Sequence, residues 1–239
     1  MTYNLSGTDT FNLNLNDIVE EAFERCGGEL RSGYDLRTAR RSLNLMLAEW
    51  ANRGLNLWTL DQGTLTLVSG TATYNLPIDT VDLLDHVIRT GTGTNQTDIN
   101  ITRISSSTYI SIPNKTATGH PRQVWINRLT GATNSVGTTV YPTITVWPTP
   151  DNSTTYTFVY NRLKRMQDAG NGVNGQDIPF RFLPAMVAGL SYYLSMKLPG
   201  ADTRSMGLKA AYEEEWQRAA DEDREKASIR FVPRETFLR

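Results

Sequence analysis

The stretch YDLRTARRSLNLMLAEWANRGLNLW, residues 34–58, decides the fold of this chain. Its apolar residues recur at alternating spacings of three and four, which on an α-helix places them on one stripe. They are Leu36, Ala39, Leu43, Met46 and Trp50. Asp35 occupies the position of an N-cap, and Gly54 stands where a chain leaves a helix through a left-handed turn. These features predict a helix, and because its apolar stripe is narrow, this helix needs partner helices.

A second helix is predicted just before the first. Asn14 and Asp17 stand three residues apart, as the members of a capping box do, with Asp in place of the usual Glu. The stripe that follows ends at Gly27 and consists of Leu15, Ile18, Ala22 and Cys26. Because no His is placed to activate it, Cys26 is predicted to be a buried structural thiol rather than a nucleophile.

The amino-acid composition changes between residues 61 and 162, where Thr, Asn, Ser, Gly and β-branched residues are frequent. Polar and apolar residues alternate over residues 64–68, and a Ser-Gly turn and the segment 74–77 follow. This pattern predicts a β-hairpin. Further strands are predicted at residues 81–89, 99–104, 109–112, 123–127, 143–147 and 155–160, with prolines at the joints. This spacing is typical of an antiparallel β-sandwich or barrel.

Two more helices are predicted after the β region. The first begins near Pro179, and its stripe consists of Phe180, Leu183, Val187, Leu190 and Leu194. The last runs from about residue 202 to 227, and its apolar face consists of Leu208, Ala211, Tyr212, Trp216 and Ala219. None of the four apolar faces is broad enough for its helix to be stable without partner helices.

The predicted fold is therefore α+β, with a discontinuous helical domain. Residues 1–60 and 178–227 form a four-helix bundle from the N- and C-terminal helix pairs, and residues 61–177 form a β domain inserted between them. Residues 228–239 are predicted to be an extended C-terminal tail.

Composition and charge exclude several classes of protein. The 239 residues carry a formal net charge of −1, so no overall field selects nucleic acid or an anionic membrane. A single Cys rules out a disulfide framework, and His86 and His120 lie far apart, so neither a metal nor another cofactor is predicted. The polar N-terminus lacks a signal-peptide core, and no run of roughly 18 apolar residues predicts a membrane span.

Two sequence motifs could bind phosphate groups. Residues 170–175 match G-x-G-x-x-G, but the preceding strand ends well before them and Pro179 follows, so they are predicted to be a linker loop. Arg37, Arg40 and Arg41 suit either phosphate or the acidic helix 202–227, within or between chains, and the balanced net charge favours the acidic helix.

The C-terminal tail carries the clearest signal of binding. Three cations against one carboxylate give residues 228–239 a net charge of +2 before the terminal carboxylate, and their apolar content exceeds that of a disordered tail. The residues that we expect to make contacts are Ile229, Arg230, Phe231, Val232, Arg234, Phe237 and Leu238. Docking on the chain's own body and insertion into a partner both remain open on physical grounds.

The order and spacing of several segments resemble the head-to-tail adaptors of short-tailed phages, the tail tubular protein A group of head–tail connector gatekeepers. These segments cover most of residues 14–228. They are DIVEEAFERCGG (17–28), LRTARRSLNLMLAEWANRGLNLW (36–58), GTLTLVSGTATYNLP (63–77), TVWPTPDNSTTYTFVY (145–160), DIPFRFLPAMVAGLSYYLSMKLPG (177–200) and AAYEEEWQRAADEDREKAS (210–228).

The resemblance implies a structural role in the virion tail, after assembly in the host cytoplasm. It implies a twelvefold homo-oligomeric ring between the portal protein and a tail nozzle protein of the tail tubular protein B type. Double-stranded DNA would pass through the lumen without sequence-specific binding, and the tail 228–239 would grip the portal. Neither catalysis nor a membrane partner is implied, and no cell-wall hydrolase motif carries over onto this sequence.

Two alternatives from other classes stay open. Asp82 with Asp85, or Glu213 with its acidic neighbours, would have to form an acid–base pair if the chain were a virion-associated peptidoglycan hydrolase. The Tyr and Trp content of the β region would suit a carbohydrate-binding module.

Overall fold

The computed structural model describes residues 11, 13–31, 33–54, 57–129, 137, 139–170 and 177–224. The chain divides into two compact units. Met1–Leu57 and Asp168–Arg239 form the helical unit, which holds the long helices, and Trp58–Gln167 form the β unit, which holds the strands. The chain is therefore of the α+β class, as predicted.

The described residues form five α-helices, which are α1 (Leu15–Cys26), α2 (Gly33–Asn52), α3 (Ser106–Ser111), α4 (Leu183–Ser195) and α5 (Asp202–Glu222). Their strands are β1 (Leu60–Leu67), β2 (Thr73–Asn75), β3 (Thr80–Thr90), β4 (Thr97–Asn100), β5 (Thr102–Ile104), β6 (Thr118–Gly119), β7 (Gln123–Asn127), β8 (Thr143–Trp147), β9 (Thr149–Pro150) and β10 (Tyr156–Lys164). Short 3-10 turns occupy Leu57–Thr59, Gly93–Asn95 and Phe180–Phe182.

Both ends of α1 are capped by residues close to them in sequence. The backbone N–H of Asp17 donates to Asn14 Oδ1 at 3.0 Å, and the N–H of Asn14 donates to Asp17 Oδ2 at 3.3 Å. The predicted capping box is thus confirmed. Gly27 follows the helix with a φ of +81°, the left-handed conformation that glycine adopts without strain.

α2 buries its predicted stripe over most of its length. Ala39, Leu43, Met46 and Trp50 are fully buried, whereas Leu36, near the start of the helix, is half-buried. The predicted N-cap is wrong, because the helix begins at Gly33 and Asp35 lies inside its first turn. There the carboxylate of Asp35 accepts a hydrogen bond from the N–H of Arg31 at 3.3 Å.

α4 is the central helix of the helical unit, because it packs against α1, α2 and α5. Its buried small residues allow close approach, and they are Ala185, Ala188, Gly189, Ser191 and Ser195. A Cβ added at Gly189 would lie 2.4 Å from Met46 Sδ of α2 and 2.7 Å from Tyr212 Cε2 of α5. α2 therefore packs mainly against the C-terminal part of the chain.

α5 departs from its predicted apolar face. Tyr212 and Ala219 are buried, but Ala211 is exposed and Leu208 is only half-buried. The helix contacts α4 along one side, so a narrower face suffices than the sequence pattern predicted. Residues 225–227 of the predicted helix lie outside the described residues.

Cys26 lies where α1 meets α4, and its thiol donates to the carbonyl oxygen of Ser191, with an Sγ–O distance of 3.0 Å. Burial raises the pKa of the thiol from 9.0 to about 11, against a smaller lowering by Arg204. An increase of this size reduces the thiolate fraction at mildly alkaline pH about a hundredfold. A buried, protonated thiol is unreactive.

In a Met206→Cys variant, we therefore expect iodoacetamide at pH 8 to label the new thiol at least about tenfold faster than Cys26. Met206 is 87% exposed, so the second cysteine serves as an internal control. Peptide mass spectrometry over a time course measures both rates in one sample. Equal rates would show that the α1–α4 contact is open.

The β unit contains two four-stranded sheets and one short pair. The first sheet has the order β1-β10-β3-β4 and is antiparallel throughout. The second has the order β2-β8-β7-β5, in which β5 runs parallel to β7, and β6 and β9 form a parallel pair. The described strands thus remain in separate sheets rather than one barrel, and the predicted antiparallel arrangement is wrong at these two pairs.

Two local predictions in the β region are also wrong. β1 pairs with β10 and β2 pairs with β8, so the turn near Gly70 joins two sheets instead of closing a hairpin. The hydroxyl of Tyr74 holds this turn by donating to the carbonyl oxygen of Thr71 at 2.7 Å and accepting from the N–H of Val68 at 2.8 Å. The predicted strand at residues 109–112 falls mostly within α3, which Ser105 caps.

The core of the β unit is one cluster to which both four-stranded sheets contribute. β3 and β10 supply Leu83, Ile88, Tyr156, Phe158 and Tyr160, and β7 and β8 supply Val124, Ile126, Ile144 and Val146. The predicted strands at residues 123–127 and 143–147 are confirmed with the same bounds.

Candidate interaction surface

An open apolar groove lies on the helical unit, between α1 and the start of α4. Its volume is about 630 Å³, and its apolar wall consists of Phe11, Leu13, Phe180, Leu183, Pro184 and Val187. Phe11 and Phe180 are 72% and 76% exposed, although Phe180 was predicted to belong to a buried stripe. Exposed aromatic side chains that line a concave surface are typical of a docking site.

The opposite wall of this docking groove is acidic and comes from α1. Its charged residues are Asp17, Glu20, Glu21, Glu24 and Arg25, with a net charge of −3. Arg25 Nε donates to Glu21 at 2.9 Å, and Asp17 belongs to the capping box. Glu20 and Glu24 are exposed and form no ion pair with any described residue, and their spacing of four places them side by side.

The end of α5 is fixed beside the docking groove. Asp223, the residue after the helix, accepts hydrogen bonds from the N–H of Leu57 at 2.9 Å and from the guanidinium of Arg181. Its carboxylate is only 4% exposed. Because Arg181 directly follows Phe180, the chain leaves α5 close to the apolar wall of the groove.

A polar cluster that the sequence analysis missed joins α2 to α5. Arg53 donates to both carboxylate oxygens of Glu213 at 2.7 and 2.9 Å, and it lies 4.8 and 4.6 Å from the ring centres of Tyr212 and Trp216. Burial alone would lower the pKa of Arg53, but hydrogen bonds to Glu213 and Glu49 outweigh it and raise the pKa. The spacing of four between Glu49 and Arg53 was the available signal.

Among the described residues, the favoured pairing of the predicted basic cluster with the acidic helix is not seen for Arg37 and Arg41. Arg40 donates to the carbonyl oxygen of Gly170, while Arg37 and Arg41 are exposed and form no ion pair within the described part of the chain. Most acidic residues of α5 are already paired with arginines near them in sequence or with Arg53. Pairing between chains remains a prediction.

Among the carboxylates considered for hydrolysis, Asp82 and Glu213 are bound by arginines. Asp82 accepts from Arg103 at 2.9 Å and from Arg128 at 3.3 Å. The hydrogen bond from Arg53 is the main reason that the pKa of Glu213 lies below its usual value. A general acid needs the opposite shift, so these surroundings do not favour a glycosidase pair.

The aromatic residues of the β unit are largely used within it. Tyr156 and Tyr160 are buried in the core, and Tyr109 stacks on Trp125 with 5.2 Å between ring centres. Trp147 Nε1 donates to the carbonyl oxygen of Asn114 at 2.9 Å. A sugar-binding platform needs exposed rings, so these contacts do not favour a carbohydrate-binding module.

The two histidines are separate structural residues in the described chain. His86 stacks on Phe158 with 5.9 Å between ring centres, and its buried nitrogens have no hydrogen-bond partner there. Burial, with a smaller contribution from Arg103, lowers the pKa of His86. Across the described ranges, no group of three or more His, Cys, Asp or Glu side chains is placed to hold a metal ion.

Two predicted features lie outside the described residues. The first is the binding tail with Ile229, Arg230, Phe231, Val232, Arg234, Phe237 and Leu238. The second is the glycine motif after Gly170, since residues 171–176 are not described.

The helical unit thus presents an open docking groove, and the carboxylates of Asp82 and Glu213 are bound by arginines. A family model described as SU10 adaptor protein matches residues 13–234, and the chain belongs to this family. It is thus a phage adaptor, a structural component of the virion. A comparison with curated proteins found no match. Among the described helices, none is both long and apolar enough to cross a membrane.

Proposed function

We propose that this chain is the head-to-tail adaptor of a short-tailed phage. Identical copies form a twelvefold ring in the virion tail, between the portal protein and a tail nozzle protein of the tail tubular protein B type. The ring continues the channel through which double-stranded DNA passes without sequence-specific binding. The match to the adaptor family over residues 13–234 carries the proposal, and the resemblance to the tail tubular protein A group supplies the short-tailed subtype.

In this proposal each part of the chain has a separate task. Residues 1–60 and 178–227 build the ring as a four-helix bundle whose core includes Leu36, Ala39, Leu43, Met46 and Trp50. Residues 61–177 form a β-sandwich that provides the contact with the nozzle. Residues 228–239 reach the portal.

The composition of residues 228–239 suits binding to the portal that is weak for one subunit and strong for a ring of subunits. Burying one Phe side chain contributes roughly 1.5–3 kcal/mol. Ordering the backbone costs about 1–2 kcal/mol per residue, so a single tail gains little. Many tails on one portal gain by multivalency.

Deleting residues 228–239 is expected to abolish attachment of the chain to portal-bearing heads, because each subunit would lose its apolar and cationic contacts. Co-sedimentation with purified heads measures attachment. Far-UV circular dichroism controls for folding, and a chain with Ala replacing only Thr236 serves as a matched control. Full occupancy of heads by the truncated chain would remove the proposed role of the tail.

A further inference from the structure

The docking groove combines two features that together define its ligand. One wall presents the exposed rings of Phe11 and Phe180. The other presents the carboxylates of Glu20 and Glu24, which form no ion pair with a described residue. A segment that fills it must place apolar side chains against the first wall and cations against the second. A neutral apolar segment would leave the carboxylates poorly solvated, and an acidic one would be repelled.

The C-terminal segment of the chain has this composition. Residues 225–239 carry Lys226, Arg230, Arg234 and Arg239 against two carboxylates, and their apolar residues alternate with these cations. Residues 1–10, which precede Phe11 in the sequence, are the other candidate segment, but they contain Asp9 and neither Lys nor Arg. Charge complementarity therefore selects the C-terminal segment.

The position where the segment starts is also suitable. Asp223 is held by Arg181, next to Phe180, so the described chain ends close to the apolar wall. Residues 225–239 can span about 50 Å when extended. The twelve residues of α1 make a helix about 18 Å long, so the segment can follow the whole acidic wall.

We infer that residues 225–239 occupy the docking groove of their own chain before assembly. Phe231 and its apolar neighbours contact the wall at Phe11 and Phe180, and Arg230 and Arg234 face Glu20 and Glu24. The inference goes beyond the proposed function, because occupancy of the groove does not require a portal. If the tail later binds the portal, as proposed above, the groove competes for the same residues.

Photo-crosslinking in the full-length chain tests this inference. p-Benzoylphenylalanine replaces Phe231, the purified protein is irradiated without portal, and peptides are mapped by mass spectrometry. We expect intramolecular crosslinks to the peptides that contain residues 11–25 and 180–187. Mixing isotopically light and heavy chains distinguishes them from crosslinks between copies. Crosslinks confined to other surfaces, or found only between copies, would overturn the inference.

Charge reversal provides the matched controls. The double change Glu20→Lys and Glu24→Lys should reduce the crosslink yield about tenfold, since two charge contacts become repulsive. Adding Arg230→Glu and Arg234→Glu should restore it. Glu214→Lys, an exposed reversal on α5, should leave the yield unchanged. A yield insensitive to Glu20 and Glu24 would show that the tail is not in this groove, whatever the outcome of the portal-attachment assay.

Discussion

Replacing Trp50 with Ala is expected to lower the free energy of unfolding of the helical unit by about 3–5 kcal/mol. Trp50 is fully buried, and its ring lies 5.7 Å from that of Phe182. Its indole Nε1 donates to the hydroxyl of Tyr212 at 2.7 Å, and this hydroxyl donates to Glu49 at 2.8 Å. The substitution removes the largest fully buried side chain among the described residues and leaves a cavity with an incomplete hydrogen-bond chain.

Urea unfolding followed by the helical circular dichroism signal measures the loss. Leu45→Ala is the matched control, because Leu45 lies on the same helix and is 57% exposed. The free energy of unfolding of Trp50→Phe should lie between those of the two Ala variants, since Phe keeps an aromatic ring and loses the hydrogen-bond donor. If Trp50→Ala and Leu45→Ala unfold at the same urea concentration, α2 does not pack as described.

Replacing Gly189 with Ala is expected to destabilise the helical unit by about 1–2 kcal/mol. An added methyl group would overlap Met46 Sδ and the ring of Tyr212, and both side chains are confined in the core. Overpacking costs about 1–3 kcal/mol, and the better helix propensity of Ala recovers up to about 1 kcal/mol of it. The sign of the change thus reports how closely α4 approaches its neighbours.

Gly207→Ala should have the opposite effect. Gly207 lies within α5, and a Cβ there would meet nothing within 4 Å. Helix propensity then acts alone and should stabilise by about 0.5–1 kcal/mol. Thermal unfolding of the two variants, compared with that of the parent chain, shows whether each substitution stabilises or destabilises the protein. A stabilising Gly189→Ala would contradict the close contact of α4 with α2 and α5.

Local features of this fold could be predicted from sequence, because they depend on neighbouring residues. The capping box of Asn14 and Asp17 is an example, and so are the strands at residues 123–127 and 143–147. The partners of β1 and β2 could not be predicted, because strand pairing depends on residues far away in sequence. The local sequence around Gly70 is compatible both with a hairpin and with a connection between two sheets.

The docking groove was not predictable for the same reason. Its acidic wall comes from α1 and its apolar wall mainly from residues 180–187, and neither segment alone reveals a concave surface. Periodicity assigned Phe180 to a buried stripe, but a 3-10 turn at Phe180–Phe182 rotates it outward. The lack of a basic partner four residues from Glu24 was the one local signal.

The central position of α4 has a consequence for synthesis on the ribosome. Trp50 and Tyr212, which bond directly, are separated by 162 positions, so the packing of the helical unit depends on contacts between residues far apart in sequence. At about 5–20 residues per second, about 7–29 s pass between the translation of Asn52, the end of α2, and that of Ser195, the end of α4. During that interval their apolar stripes lack their final partner, while the β unit is contiguous and can fold first. We therefore expect chaperones to bind nascent α1 and α2.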